Sequence, residues 1–245
     1  TPVMVLHGGP GAAHNYVIAI AQQIAASGRP AVLYDQIGCG NSTHLKEKPS
    51  EFWTPELFMD ELKILTKHLG IDSDYAIVGQ SWGGMLGMQF AIGNPSGLKA
   101  LVVADSPASM EVWVSEANRL RSQLPPEIEN TLKHHESNDT TDSPEYEAAV
   151  NKFYERHVCR VPMPKDVTDS FDQIKVDPTV YHTMNGPSEF FVVGSLKYWD
   201  IRPELHKIKV PTLLCSGAYD EATPAMVSEV HSLIPVSYTH LTLPT

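Results

Sequence analysis

The stretch IVGQSWGG, at residues 77–84, decides the fold that this sequence predicts. It contains a G-x-S-x-G pattern between a predicted buried strand, 75–79, and a predicted helix, 82–94. A serine at such a strand-to-helix junction lies on a tight and strained turn. Side chains two residues before and two residues after it would clash, so both positions need glycine. The pattern therefore indicates that Ser81 is an exposed nucleophile at the end of a strand.

Strands and helices alternate on both sides of this junction. Apolar runs predict strands, and apolar residues at helical spacing predict helices. The predicted strands are 2–6, 30–35, 75–79, 98–105 and 210–217, and the predicted helices are 16–26, 55–69, 82–94 and 225–233. This alternation predicts an α/β protein whose mostly parallel sheet carries helices on both faces.

The alternation stops after the fourth predicted strand. Residues 106–195 are mostly helical and polar in pattern, with prolines between segments, and 134–147 is expected to be a charged loop. A helical insertion between two strands is typical of a lid on an α/β core. We predict four parts, namely hydrolase core over 1–105, helical cap over 106–195, core again over 196–235 and a tail over 236–245.

Composition excludes several function classes. The formal net charge is −11 and the basic residues form no cluster, so nucleic-acid binding is not expected. No apolar run approaches the roughly 20 residues of a membrane span. Three cysteines without metal-ligand spacing fit a reducing compartment, and we expect a cytoplasmic protein. The acidity favours solubility, or else a field that attracts cationic ligands.

The motif HGGPG, at residues 7–11, follows the first predicted strand. Glycines let a backbone approach a ligand closely, and Pro10 donates no hydrogen bond. The Gly9 N–H is therefore a candidate oxyanion donor. The Trp82 N–H, at a helix start, is the second candidate. The alternative for HGGPG is a tight connection without a function.

An acidic residue follows the last predicted strand of the core. Asp220, within SGAYDE at 216–221, comes after Ser81 in the chain, as in the order Ser, Asp, His of α/β hydrolases. Such an acid orients an imidazole and stabilises its charged form. The alternative is a helix cap ahead of Pro224.

Five motifs together resemble one family. They are HGGPG at 7–11, YDQIGCGNS at 34–42, GQSWGG at 79–84, NGPSEF at 185–190 and AYDEATP at 218–224. In this order they resemble the proline iminopeptidase family of α/β-hydrolase peptidases. That family includes aminopeptidases similar to tricorn-interacting factor, and amino-acid amidases. The resemblance runs from residue 1 to about 235. Ile37 departs from it, since many members have arginine there, and we interpret this as a subfamily difference in a structural turn.

The resemblance implies an α/β-hydrolase fold with an inserted cap. It also implies a serine aminopeptidase that releases N-terminal residues, often proline, from peptides or aminoacyl substrates with a free N-terminus. The reaction would pass through an acyl-enzyme, without cofactor or metal. The implied roles are nucleophile for Ser81, acid for Asp220, oxyanion donors for Gly9 and Trp82, and ammonium ligands for Glu189 and Glu221. Without the resemblance, Glu189 would be interpreted as a solvated lid residue.

The base is the missing member of this set. In chain order it must follow Asp220, and His231 and His240 do so. His231 lies inside the predicted helix 225–233, which is too early. His240 follows at short spacing, with no clear strand before it. We therefore expect the triad histidine to be absent from this chain, with His240 as the alternative.

The ends of the chain carry their own expectations. The first predicted strand leads straight into HGGPG, and SYTHLTLPT at 237–245 resembles a translated vector sequence. We expect a hydrolase truncated at both ends with a non-native tail. Two other functions stay open, namely an amidase or esterase acting on small amino-acid derivatives, and a catalytically inactive pseudo-hydrolase. Blocking the substrate's α-amine separates an aminopeptidase from an esterase.

Overall fold

The computed structural model describes residues 1–242 and contains a parallel six-stranded sheet. The strands are β1 (Val3–Leu6), β2 (Ala31–Leu33), β3 (Tyr75–Gln80), β4 (Leu98–Ala104), β5 (Thr212–Gly217) and β6 (Ser237–Thr242). Their order across the sheet is β2-β1-β3-β4-β5-β6, and every neighbouring pair is parallel. The predicted α/β class with a parallel sheet is confirmed.

The helices of the core connect these strands. They are α1 (Ile18–Ala26), α2 (Pro55–His68) and α3 (Trp82–Ile92), with a last core helix at Pro224–Leu233. Five more α-helices lie between β4 and β5. They are α4 (Met110–Arg121), α5 (Pro126–Ser137), α6 (Pro144–His157), α7 (Lys165–Val176) and α8 (Thr179–Met184), so that Pro224–Leu233 becomes α9. We refer to residues 106–195 as the cap, and the predicted domain boundaries stay predictions.

The sheet has an apolar layer on each face. In β1, Val3 and Val5 pack with Val17 and Ala21 on one face. Met4 and Leu6 belong to the larger cluster on the other face. Side chains alternate across a strand, so a continuous apolar run is what a strand covered on both faces needs. The cap has a third cluster of its own, which includes Phe153 and Phe190.

The strand order places a crevice at one end of the sheet. From β1 the chain goes first to β2 on one side and later to β3 on the other. Ligands of open parallel sheets bind where the order reverses, beyond the carboxyl ends of the strands. The loop after β1 carries Gly8 and Gly9, and Ser81 directly follows β3. Two of the predicted motifs therefore meet at this point.

Two predictions of local structure were wrong. Residues 134–147 are not one loop, because α5 continues to Ser137 and α6 begins at Pro144. Proline at the first turn of a helix leaves no N–H unsatisfied there, which makes Pro144 a start signal. Also, a strand does follow α9, since β6 pairs with β5 from Ser237 to Thr242. Part of the predicted tail, 243–245, lies outside the described residues.

No helix within residues 1–242 is long and apolar enough to cross a membrane.

Candidate active site

Ser81 lies on the turn between β3 and α3. Its backbone has φ 54° and ψ −123°, in the left-handed half of conformational space that an L residue rarely adopts. Its N–H donates to the Ala104 carbonyl of the neighbouring strand, and its own carbonyl accepts from Gly84 and Met85. Both sides of the strained residue are thereby held. Such strain persists where the surrounding structure determines it, and it is typical of functional sites.

The glycines around Ser81 are required by sterics, as the sequence predicted. A Cβ on Gly79 would lie 2.2 Å from the Gly83 carbonyl oxygen, and a Cβ on Gly83 would lie 2.2 Å from the Leu6 carbonyl oxygen. Gly84 is equally restricted, since its Cβ would lie 2.1 Å from the Ser106 Oγ. The tight turn therefore depends on α3 starting in contact with β1 and with the loop after β4.

Gly9 and Trp82 both lie beside Ser81. Gly9 has φ 114° and precedes a cis bond to Pro10, and it lines the same two cavities as Ser81. Trp82 is the first residue of α3, and its indole Nε1 donates to the Gln36 Oε1 at 2.9 Å. Within residues 1–242 neither N–H has a hydrogen-bond acceptor in the protein. Their use as oxyanion donors stays a prediction.

Aromatic side chains of the cap hold Glu189 in place. The Tyr181 hydroxyl donates to its Oε1 at 2.7 Å, and the Trp113 Nε1 donates to its carbonyl oxygen at 2.6 Å. Its N–H donates to the Tyr154 hydroxyl at 3.4 Å. Burial raises the pKa of Glu189 to about 7. A group that can bring a positive charge into this site would stabilise its ionised form.

Glu221 reaches the same region from the core. It follows Asp220 in the loop between β5 and α9, and its N–H donates to the His157 carbonyl at the end of α6. Its Oε2 is buried without a hydrogen-bond partner among the described residues. Burial, and then the negative charge of Glu189, raise the pKa of Glu221 well above its usual range. A buried acceptor without a partner costs free energy, and a bound donor would remove that cost.

A single cleft contains the predicted nucleophile and both glutamates. It encloses about 760 Å³ of empty space including its open mouth. Besides Gly9, Ser81, Glu189 and Glu221, its walls are mostly apolar cap residues, among them Val158, Val167, Phe171 and Ile174. A largely apolar cleft with a few convergent polar groups is typical of a small-ligand site.

Asp220 lies at the end of β5, close to the end of β4. Its Oδ1 accepts from the Ala222 N–H at 2.7 Å, and its own N–H donates to the Gly217 carbonyl. Burial, and then the charge of Asp105, raise the pKa of Asp220 well above its usual range. The structure thus places the predicted acid after β5, the strand next to β4, at the same end of the sheet as Ser81.

The histidines do not complete a triad in the part of the chain that the structure describes. None of the recorded histidine hydrogen bonds there involves Ser81 or Asp220. His231 bonds Ser237 at 2.7 Å. His240 is exposed in β6, opposite Cys215, and lines a cavity that Ser81 does not line. The base stays unassigned.

Three residues of the site escaped the sequence analysis. Tyr16 and Gln80 line the cleft, and Asp105 contacts Asp220. Asp105 had a usable signal, because it follows a predicted strand just as Asp220 does. Tyr16 had none, since its hydroxyl reaches Gln80 across 64 residues of sequence.

Over residues 1–242, no group of three or more His, Cys, Asp and Glu side chains is placed to hold a metal ion.

Comparison with known sequences identifies the relatives of this chain. It matches the family model of the alpha/beta hydrolase fold over residues 1–243. The proline iminopeptidase of Saccharolobus solfataricus is 36% identical over 233 residues, which are 95% of this chain and 74% of the relative. That of Thermoplasma volcanium is 34% identical, over 95% of this chain and 77% of the relative.

Solved structures give the same result. The crystal structure of VinJ superposes with a TM-score of 0.96 at 50% identity, covering 99% of this chain and 82% of VinJ. The proline iminopeptidase of Mycobacterium smegmatis superposes with a TM-score of 0.92 at 49% identity, covering 100% of this chain and 82% of that protein. The strained serine, the glycine loop and these similarities agree, and the chain belongs to the proline iminopeptidase family of α/β-hydrolase-fold enzymes.

Proposed function

We propose that this protein is a serine aminopeptidase that binds a free N-terminus and releases the first residue, with proline among those it accepts. The observation that carries the proposal is the position of Glu189 and Glu221 in the cleft that Ser81 lines. Two carboxyl groups in a mostly apolar cleft form a site for one ammonium group. Relatives at 32–36% identity that are named proline iminopeptidases support it.

The binding step follows from charge. A primary ammonium group donates three hydrogen bonds and the secondary one of an N-terminal proline donates two, and the unpartnered Glu221 Oε2 and the Glu189 carboxylate can together accept two. A substrate whose amine is blocked brings no charge and leaves both carboxyl groups unpaired. The site then discriminates by leaving buried polar groups unsatisfied, which is the stronger form of selection.

The chemical step uses the groups at the end of the sheet. Ser81 Oγ attacks the carbonyl carbon of the first residue, and the oxyanion accepts hydrogen bonds from the Gly9 and Trp82 N–H groups. The base that takes the Ser81 hydroxyl proton gives it to the amine of the shortened peptide, which leaves, and water then hydrolyses the acyl-enzyme. Asp220 has the place of the acid that orients a histidine base. That histidine is not assigned to a residue.

Turnover of two matched substrates tests the proposal. Because no histidine base is assigned, we expect slow turnover, with the fluorophore released from a prolyl arylamide and not from its N-acetyl form, since only the first carries an ammonium group. Glu221→Gln should lower kcat/KM by roughly 10–100-fold, since a charged hydrogen bond to a substrate is worth about 1.5–3 kcal/mol. The matched control is Glu127→Gln, which removes an exposed carboxylate of the cap.

Three outcomes would contradict the proposal. Equal turnover of the free and the acetylated substrate would favour an esterase or amidase without N-terminal selection. Loss of activity in Glu127→Gln equal to that in Glu221→Gln would assign the effect to net charge. Binding of prolinamide without any turnover, in a folded protein, would favour a pseudo-hydrolase.

A further inference from the structure

Asp105 and Asp220 form a pair of carboxyl groups at the ends of adjacent strands. Asp105 directly follows β4, and its N–H donates to the Cys215 carbonyl of β5 at 2.9 Å. Its backbone is left-handed, with φ 52°, which is uncommon for a residue with a side chain. The chain therefore leaves β4 in a strained conformation at the point where the two acids meet.

The surroundings of Asp105 bring the two acids together. Its carboxyl group faces the Gln80 side chain, the Gly217 N–H and the carboxyl group of Asp220. Two ionised carboxylates that lie side by side in a buried site repel each other, and one proton between them removes that repulsion. Asp220 also accepts from the Ala222 N–H through Oδ1.

A chain of hydrogen bonds links this pair to the loop of Gly8 and Gly9. The Gly8 N–H donates to the Tyr16 hydroxyl at 2.5 Å, and that hydroxyl donates to the Gln80 Oε1 at 2.5 Å. With its oxygen occupied, Gln80 presents its amide nitrogen to Asp105. The chain thus runs from Gly8, the residue before Gly9, through Tyr16 and Gln80 to Asp105, which lies beside the predicted acid Asp220.

We propose that Asp105 is a positioning residue, which holds Asp220 through one shared proton and holds the loop of Gly8 and Gly9 through Gln80 and Tyr16. The role given to Asp220 rests on the proposed function, whereas the carboxyl pair does not. Asp105 touches no reacting atom in this scheme. It sets the geometry of two groups that do.

The surroundings of the pair favour the shared proton. Burial raises the pKa of Asp105, and burial with the Asp105 charge raises that of Asp220 further. The titratable groups that face one or both acids are Cys215, Tyr16 and Glu221, and none of them is a cation. A cluster of acids in such an environment keeps protons rather than accept a second negative charge.

The pH dependence of folding tests the pair without any need for turnover. In Asp105→Asn, the side-chain oxygen still accepts from Gln80, and the new amide donates to Asp220, so the hydrogen bonds persist while the shared proton is lost. The native pair binds a proton that the unfolded chain releases above about pH 4, so native stability falls as the pH rises.

We expect Asp105→Asn to change the urea midpoint of unfolding differently at two pH values. Relative to the parent protein, the midpoint of the variant should be higher at about pH 9 than at about pH 4. Asp142→Asn, an exposed carboxylate of the cap, is the matched control and should show no such difference. Asp220→Asn should act in the same direction, and the double variant should gain less than the sum of the two. Effects that are additive, or equal at both pH values, would overturn the shared proton.

A second measurement tests the positioning role. A prolyl boronic acid bonds to the serine oxygen and uses the oxyanion donors, whereas prolinamide needs only the ammonium site. We expect Asp105→Ala to weaken boronate binding by roughly tenfold or more, to leave prolinamide binding unchanged, and to be rescued in Asp105→Asn.

The outcomes separate the two proposals. If the parent protein binds neither ligand, the proposed function fails, and the stability experiment still decides the carboxyl pair. If the parent binds both ligands and Asp105→Ala binds the boronate as well as the parent does, the positioning role is wrong.

Discussion

At the scale of single residues, the turn that carries Ser81 depends on missing side chains. A methyl group at Gly83 would lie 2.2 Å from the backbone of β1, which cannot move without breaking its pairing with β2 and β3. The position therefore has no room to relax.

We expect Gly83→Ala to lower the free energy of unfolding by about 1–3 kcal/mol or more, the usual cost of overpacking. Urea unfolding would measure it. Gly93→Ala is the control on the same helix, because its added methyl group meets only the Phe90 carbonyl oxygen, at 3.4 Å, in a helical conformation. If both variants lose the same stability, the close approach to β1 is not what requires glycine.

Glu61 is a second residue with a special environment. Its Oε1 accepts from the Ile37 N–H at 2.9 Å, while its Oε2 is buried without a partner among the described residues. Burial raises the pKa of Glu61 to about 7. Between its ordinary value, 4.5, and about 7 the folded protein binds the proton more tightly than the unfolded chain. This group therefore makes the protein less stable as the pH rises through that window.

Glu61→Gln removes this dependence. We expect the difference in unfolding free energy between the variant and the parent to favour the variant more at about pH 8 than at about pH 4. Chemical unfolding at both pH values measures it. The exposed Glu51→Gln should show no such gain. A Glu61→Gln effect that is independent of pH would show that the carboxyl group is ionised in the folded protein even below neutral pH.

At the scale of elements, a histidine joins the core to the cap. His44, in the loop between β2 and α2, hydrogen-bonds the buried Asp177 at the end of α7. Its Nε2 donates to the Gly40 carbonyl, and this bond, followed by the one to Asp177, raises the pKa of His44. The protonated form thus stabilises the folded state.

The sign of the pH effect follows from this shift. The contribution of His44 is fully present below the unfolded pKa, about 6.5, and is lost as the pH rises through the higher folded value. We expect His44→Ala to cost about 1–3 kcal/mol at about pH 5, and less at about pH 9. His68→Ala, an exposed histidine of α2, is the control. A cost for His44→Ala that is no smaller at about pH 9 would contradict this account of the contact.

The sequence predicted the elements that local pattern determines. The bounds of α2, α3 and β3 agree with the predicted ranges to within two residues, since each combines an apolar pattern with a proline or glycine signal. The strand β6 was missed because SYTHLT has little apolar character, and its pairing with β5 supplies the stability that its composition does not. The pairing of Asp105 with Asp220 was also missed, because contacts across 115 residues leave no periodicity in the sequence.

At the scale of the whole molecule, the net charge of −11 favours cationic ligands. Salt screens such a field within about 10 Å at 0.1 M. We expect the affinity for prolinamide to fall by a few-fold between low and high salt, and the affinity of the boronate's neutral N-acetyl form not to fall. Calorimetry would measure both. A salt effect that is equal for the charged and the neutral ligand would exclude the electrostatic origin.

The proposed function depends on Glu189 and Glu221 binding one free ammonium group together. Calorimetric titration of Ser81→Ala with prolinamide at about pH 6, in two buffers of different ionisation enthalpy, tests it most directly, since bound cations displace protons from carboxyl groups whose pKa is raised. We expect binding with release of protons, which is lost when the ligand is N-acetylated and reduced in Glu221→Gln. Binding of both ligands with equal affinity, or without proton release, would contradict it.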